Sequence, residues 1–320
     1  MSRRFTATLF VFSTAIFAVM IVEAATKAPG NSSFYSQTEE ASVRPALSSL
    51  VEAERSFARM SVEKGMHEAF FAEDGINFQP APTLVREDMR KRPQPVAHPL
   101  FTLDWAPVYG DVSKAGDLGY TTGPFLLTDQ SPQRRPPRHG MYFSIWKKQS
   151  DGSWKVVVDA GISTPEPVAP LKGARFRSAH ESHPKHTREG VNLDAERAAL
   201  MNKDRELFKA AGTSGMVNAF LDYSVDDARL HRDGMMPFVG RGAIRNFLSA
   251  QATTLVGAPI KSDVSQSADL GYTYGTYESK VGSAPSSGER GYYVRVWKSD
   301  ARGKWTLTLD TTIPVPPPQK

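Results

Sequence analysis

Asp117-Leu118-Gly119-Tyr120-Thr121-Thr122-Gly123 is written a second time as Asp269-Leu270-Gly271-Tyr272-Thr273-Tyr274-Gly275, and this repetition decides the fold. The surroundings recur too. Upstream, Asp111-Val112-Ser113 answers to Asp263-Val264-Ser265. Downstream, Trp146-Lys147, Trp154 and Asp159 answer to Trp297-Lys298, Trp305 and Asp310, with the same spacings of eight and five residues. A period of roughly 150 residues marks a duplicated whole domain, because solenoid units run about 20–50 residues and cannot bury a core alone. The 320-residue length agrees with two domains.

Working outward, each copy predicts helices first and strands afterwards. In the first copy, Leu47, Leu50, Val51, Ala53, Phe57, Ala58 and Met60 recur at helical spacing over 46–64. A short helix over 66–72, a short strand over 76–79 and a small helix over 83–90 follow. The period then changes to alternation over 100–113, 118–128, 140–149 and 153–163, with turn residues between. The second copy repeats the plan: helices over 193–211, 214–221 and 242–253, and long strands over 259–266, 270–280, 291–299 and 304–313. Helices followed by an antiparallel meander give an α+β class.

The remaining segments read differently. Residues 1–24 carry Arg3-Arg4, an apolar run over 5–22 and a small-residue cleavage pattern, so a signal peptide is expected there. Left uncleaved, the same run would be an anchor and the chain's one membrane contact. The rest is then exported, periplasmic or secreted, and zero cysteines exclude disulfides and thiolate sites. A flexible leader is expected over 25–45, a linker over 164–192 and a Pro-rich tail over 315–320. The net charge of +5 is spread without a basic stripe, which argues against nucleic-acid binding.

Gly116–Gly123, the Trp146–Asp159 hairpin and Phe238-Val239-Gly240-Arg241-Gly242-Ala243-Ile244 resemble the nuclear transport factor 2-like superfamily, in particular its SnoaL-like and ketosteroid-isomerase-like exported members of unknown function. The resemblance spans 46–163 and 193–314. It implies two cone-shaped domains, each with N-terminal helices packed on a curved antiparallel sheet of four to six strands around a pocket. It also implies that the two copies pack sheet to sheet as an intramolecular pseudo-dimer. The superfamily includes isomerases, cyclases, dehydratases and proteins that only bind, so the fold does not dictate a reaction.

Asp159 and Asp310 stand in apolar runs near the end of the last strand, where a carboxylate gains a raised pKa and general acid or base capacity. The alternative is a structural Asp capping a turn or pairing with Arg86 or Arg241. Tyr120, Trp105, Tyr142 and Trp146 in the first copy, and Tyr272, Tyr293 and Trp297 in the second, are the pocket-lining aromatics expected. Alternation groups Tyr142, Ser144 and Trp146 on one face and Phe143 and Ile145 on the other, without saying which faces the cone. Trp105 against Gly257 is a difference between the copies. Asp74, Asp222, Asp226 and Asp227 are read as turn residues, and His98 and His231 as surface or packing residues. An isomerase mechanism of the ketosteroid type needs an Asp base, a Tyr and a protonated acid; that set does not assemble on one copy, so the activity is not carried over. His180, His183 and His186 flank Pro184 in an aperiodic linker and are read as a soluble tract; no metal and no cofactor are expected. Arg134-Arg135-Pro136-Pro137-Arg138 reads as a solvated basic loop that can attract an anion. The expected function is binding of a small, largely apolar molecule. An acid–base enzyme of isomerase, dehydratase or cyclase type and an envelope interaction module are the rivals.

Overall fold

The computed structural model describes residues 33–66, 68–78, 81–91, 100–167, 176–178, 190–251, 253–281 and 288–316. The expected signal segment, His98, the three linker histidines and the end of the Pro-rich tail lie outside the described residues. The first copy runs α1 (Ser33–Lys64), a 3-10 turn (Glu68–Phe70), β1 (Phe71–Phe78), β2 (Pro82–Leu84), α2 (Val85–Lys91), β3 (Phe101–Trp105), β4 (Tyr109–Val112), β5 (Leu118–Asp129), β6 (Arg138–Lys148), β7 (Trp154–Thr164) and β8 (Arg177–Ser178). The second runs α3 (Leu193–Ser214), α4 (Met216–Tyr223), β9 (Ser224–His231), β10 (Phe238–Val239), α5 (Gly240–Ser249), β11 (Thr253–Val264), β12 (Leu270–Val281), β13 (Arg290–Ser299) and β14 (Trp305–Pro314). The α+β class is as expected, and it is built twice.

Each long meander is antiparallel, and one earlier strand joins its edge in parallel: β1 beside β7, and β9 beside β14. The second sheet has six strands, and the first has eight because β3 and β8 also pair into it. Both sheets carry a bulge at the same place, between Ile145 and Trp146 and between Val296 and Trp297. An extra residue on the partner strand there adds twist and bend, which curls the sheet around the helix.

Three local expectations change. Helix α1 starts at Ser33 and passes through Pro45, so the leader expected over 25–45 ends in helix. A proline removes one hydrogen bond, and the packed turns that follow it, with Leu50, Val51 and Phe57 buried, continue the helix regardless. The helix expected over 66–72 becomes a single turn, because Phe71 already pairs with Val156 in the sheet. The strand expected over 100–113 breaks at Ala106-Pro107-Val108 into β3 and β4, whereas its counterpart β11 is continuous with a register shift after Pro259.

Glycine in the repeated phrase sets how each helix lies on its sheet. A Cβ on Gly119 would sit 2.4 Å from Leu50, and one on Gly271 would sit 2.8 Å from Leu200. Leu50 therefore corresponds to Leu200, which matches Glu54 with Asp204 and Ala58 with Phe208. Phe208 therefore corresponds to Ala58, one residue beyond Phe57.

The outer faces of the two sheets meet. Tyr120, Phe143, Ile145 and Val158 share one buried cluster with Tyr272, Val294, Val296 and Leu309. Polar contacts around it are reciprocal. Lys147 pairs with Asp263 at 2.7 Å, and Lys298 with Asp111 at 2.5 Å. Asp117 accepts from the backbone N–H of Gln266 at 2.9 Å, while Asp269 accepts from that of Lys114 at 3.1 Å. The repeated Asp thus closes its own turn through Ser113 or Ser265 and also reaches across to the other copy.

Candidate functional site

Register decides which side chains enter the cone. Tyr142, Ser144 and Trp146 face α1, while Phe143 and Ile145 face the second sheet. Tyr120 is paired with Ile145 and shares its face. Tyr120 and Tyr272, expected as pocket residues, therefore belong to the contact between the copies; neither lines a cone.

In the first copy the cone holds a cavity of about 320 Å³, at the small end of ligand-site volumes. Phe57, Phe78, Leu103, Trp105, Phe125 and Leu127 make its apolar walls. Asp159, Ser144, Tyr142 and Asn77 supply polar groups, and Arg138, His139 and Ser163 lie toward the far strand ends. Cross-strand pairing of Asp159 with Ser144 on one side and Asn77 on the other assembles that polar set. Trp105 and Tyr142 line the cavity. Trp146 lies beneath α1 as core, fully buried.

Asp159 is enclosed by protein yet opens onto the cavity. Ser144 Oγ donates to it at 2.9 Å. Burial pushes its carboxyl up to about 7; the Ser144 hydrogen bond works against this, and nearby Glu54 adds to it. Neither Arg86, which pairs with Glu73, nor Arg241, which donates to Leu221 O, reaches it. Three further buried polar atoms at this cavity have no well-formed partner among the described residues: Tyr142 Oη, Asn77 Oδ1 and His139 Nδ1. Buried polar groups are nearly always paired, so orphans gathered at one cavity point to a ligand or water that satisfies them.

Glu54 was not anticipated. It lies fully buried on α1 and accepts from Trp105 Nε1 at 2.6 Å, Trp146 Nε1 at 2.7 Å and Thr121 Oγ1. Burial raises its pKa against those three donors. A readable signal existed: Glu54 falls four residues after Leu50 and four before Ala58, on the helix's apolar stripe.

The second cone is built otherwise. Arg295 stands where Ser144 stands in the first copy, and it is 1% exposed. Its guanidinium bonds Asp310 through Nε at 2.7 Å, also bonds Asp204, and stacks over Phe208 and Tyr293. Arg232 donates to Asp310 at 2.7 Å, and Tyr293 Oη donates to Asp204 at 2.6 Å. Burial alone would raise the Asp310 carboxyl, but Arg232 and Arg295 outweigh it and hold it below the ordinary range. Asp310, at 0% exposure, is the ion-paired structural Asp, with partners other than those expected. Gly257 leaves room that the Phe208 ring takes, 2.7 Å from where a Cβ would be. Tyr293 and Trp297, expected to line a pocket, are fully buried core, Trp297 donating to Thr273 at 3.0 Å. A hollow of about 600 Å³ lies at the outer strand ends, lined by Gly257, Tyr277, Arg290 and Tyr292, without Asp310. His231 is buried and held down to about 3 by burial and by Arg229 and Arg232, so it is neutral.

Asp74 meets Lys261 and Asp226 meets Arg241, both at the surface, while Asp227 faces the Tyr109 hydroxyl at 3.5 Å. Among the described residues no group of three or more His, Asp or Glu converges on a metal site.

In both halves a long helix lies across a curled meander with one parallel edge strand. The fold is nuclear transport factor 2-like, in tandem. No protein-family model matches the chain, and no curated protein matches it. Solved structures similar to it include a ketosteroid isomerase-like protein from Erwinia carotovora atroseptica, 15% identical, covering 37% of this chain and 96% of its own, with a TM-score of 0.32. An NTF2-like protein with a cystatin-like fold from Novosphingobium aromaticivorans is 16% identical over 34% of this chain and 78% of its own, at a TM-score of 0.30. A CaMKII hub from S. rosetta is 16% identical over 37% of this chain and 96% of its own, at a TM-score of 0.31.

Proposed function

We propose that the first copy binds a small, largely apolar molecule through its cone, and that the second copy is a closed structural partner to it. One observation carries this reading. An aromatic-walled cavity gathers Asp159 and three unpaired polar atoms, and the matching space of the second copy is occupied by Arg295, Asp204 and Phe208. Concave apolar sites with a few fixed polar groups are how proteins hold small ligands. The reciprocal Lys–Asp contacts support reading the two copies as an intramolecular pseudo-dimer. The Arg3-Arg4 and apolar pattern of residues 1–24 supports export to the periplasm or beyond.

Thermal-shift and calorimetric screening of the chain against fatty acids, steroids and polycyclic aromatic ketones tests the reading. Stabilisation by at least one class, lost on filling the cavity with Gly161→Leu, is the expected result. An absence of binding across the panel would overturn it.

A second reading, acid–base catalysis, is favoured by one specific feature. A carboxyl titrating near neutral pH beside the unpaired Tyr142 hydroxyl can exchange a proton with a bound carbonyl or enol. Its test is solvent-deuterium exchange into a bound ketone, expected to disappear in Asp159→Asn while binding persists.

A further inference from the structure

The cavity has two chemically different ends. At one end sit Asp159, Ser144 and Asn77; at the other, on the first residues of β6, sit Arg138 and His139. Ser144 lies six residue steps along β6 from Arg138, roughly 20 Å of strand at about 3.3 Å per residue. Apolar walls run between.

The mouth is organised by the β5–β6 loop. Asp129 accepts from Ser131 N at 2.8 Å and from Arg135 Nε at 2.9 Å, which ties the loop back on itself. Arg135 also lies over the Phe101 ring, 5.5 Å from its centre. The Arg135 charge is thereby spent within the loop. Arg138 is exposed and has no carboxylate partner among the described residues. The second copy differs at this position as well. Glu289 stands in place of Arg138 and accepts from Tyr277 Oη at 2.6 Å, so the rim arginine belongs to the copy that has the cavity.

We propose that the ligand of the first cone is an amphipathic carboxylate, its anionic head held at the mouth by Arg138 and its apolar body directed inward toward Asp159. This rests on the binding reading and adds a ligand class and an orientation to it. Two effects set the direction. A guanidinium presents paired N–H donors that match a carboxylate. The opposite end holds Asp159, and a carboxylate headgroup placed there would have to share a buried setting with a second carboxyl, an arrangement that disfavours ionising both. An uncharged polar group, such as a hydroxyl or carbonyl, suits that inner end and can use the Tyr142 and Asn77 atoms.

Calorimetric titration of the full chain at pH 8 with decanoic acid, decanamide and decyl sulfate tests this, on wild type, Arg138→Gln and Arg138→Lys. The expected result is decanoate binding about threefold to fivefold more tightly than decanamide, the size of a solvent-accessible charge pair. Arg138→Gln should erase that preference, the acid losing more affinity than the amide, and Arg138→Lys should keep part of it. Equal affinity for acid and amide, or a preference that survives Arg138→Gln, would overturn the assignment and leave the binding reading standing. Decyl sulfate binding more tightly than decanoate would overturn the carboxylate choice. A chain that binds neither the acid nor the amide, yet binds steroids, would overturn the ligand class alone. A chain that binds nothing removes both readings.

Discussion

The two cones are made from one plan and solve it in opposite ways. The first keeps a cavity with a proton-holding Asp159; the second fills the same place with an Arg295–Asp204–Asp310 ion network. Four exchanges carry the difference: Ser144 for Arg295, Ala58 for Phe208, Trp105 for Gly257, and Asn77 for Leu230, the residue paired with Asp310. Each last-strand Asp stands five residues after its Trp, and its cross-strand neighbour decides its ionisation. A carboxyl opposite a serine is desolvated and protonates easily, whereas one opposite an arginine stays charged. Duplication preserved the acid and altered what it faces.

The largest effect should come from breaking the second cone. Arg295→Met leaves Asp204 and Asp310 buried without their shared cation, and loss of one member of a buried ion group costs about 3–5 kcal/mol. Urea unfolding of the variant reads this directly. Ser144→Ala at the matching position should cost under about 1 kcal/mol, since a single neutral hydrogen bond is lost. Similar costs at the two positions would end the contrast.

The interface gives a second asymmetric pair. Lys298 is 5% exposed and meets a fully buried Asp111, while Lys147 is 36% exposed and meets an Asp263 that Arg197 also holds. Lys298→Met should therefore cost about 3 kcal/mol and Lys147→Met less than about 1 kcal/mol in the same unfolding assay.

Asp159→Asn sharpens the comparison through pH. The folded-state pKa of Asp159 lies above its unfolded value, so its contribution to stability is fully present at low pH and is lost as pH rises through about 7. The asparagine variant should match wild type near pH 4 and exceed it by about 2–3 kcal/mol at pH 8, with the gap opening between those limits. The full shift is worth roughly 4 kcal/mol, which the solvent that Asp159 meets at the cavity reduces. Asp310→Asn should behave in the reverse sense, being less stable than wild type at pH 8 because Arg232 and Arg295 lose their anion. Thermal melting of both variants across pH 4–8 decides it. The smallest effect is expected at Arg135→Ala. Its guanidinium is in water where it meets Asp129, so the urea midpoint should stay within the scatter of the wild-type measurement.

Much of the fold was legible because local periods carried it. The helix stripe, the alternating runs and the turn residues of the repeated phrase all describe short-range geometry. They appear where expected apart from the run over 100–113, which breaks at Ala106-Pro107-Val108, and the one expected over 259–266, whose strand already starts at Thr253. The misreadings share a cause. Phe71 joined a strand because Val156 lay beside it, and the leader expected over 25–45 ended in helix, running through Pro45 into the packed turns beyond it. The candidate site was legible in part. Asp159, Trp105 and Tyr142 were found as an unusual carboxylate and aromatics in apolar runs. Tyr120 and Tyr272 were misplaced because a strand with two apolar faces does not say which face meets the helix. Glu54 and Asp204 were missed although an acid on an apolar helix stripe is a visible anomaly.

The repeated phrase, read from sequence, established the duplication, the class and the order of elements, since matching residues at matching spacings over a whole-domain period must fold into matching elements. Tertiary structure decided what the phrase is for. Its Asp residues cross between the copies and its Tyr120 and Tyr272 pack there, while its first Gly in each copy admits the helix. Only the three-dimensional arrangement could place Arg295 against Asp310 and leave Asp159 facing a cavity. Ionisation and vacancy depend on residues that are distant in the chain and adjacent in space.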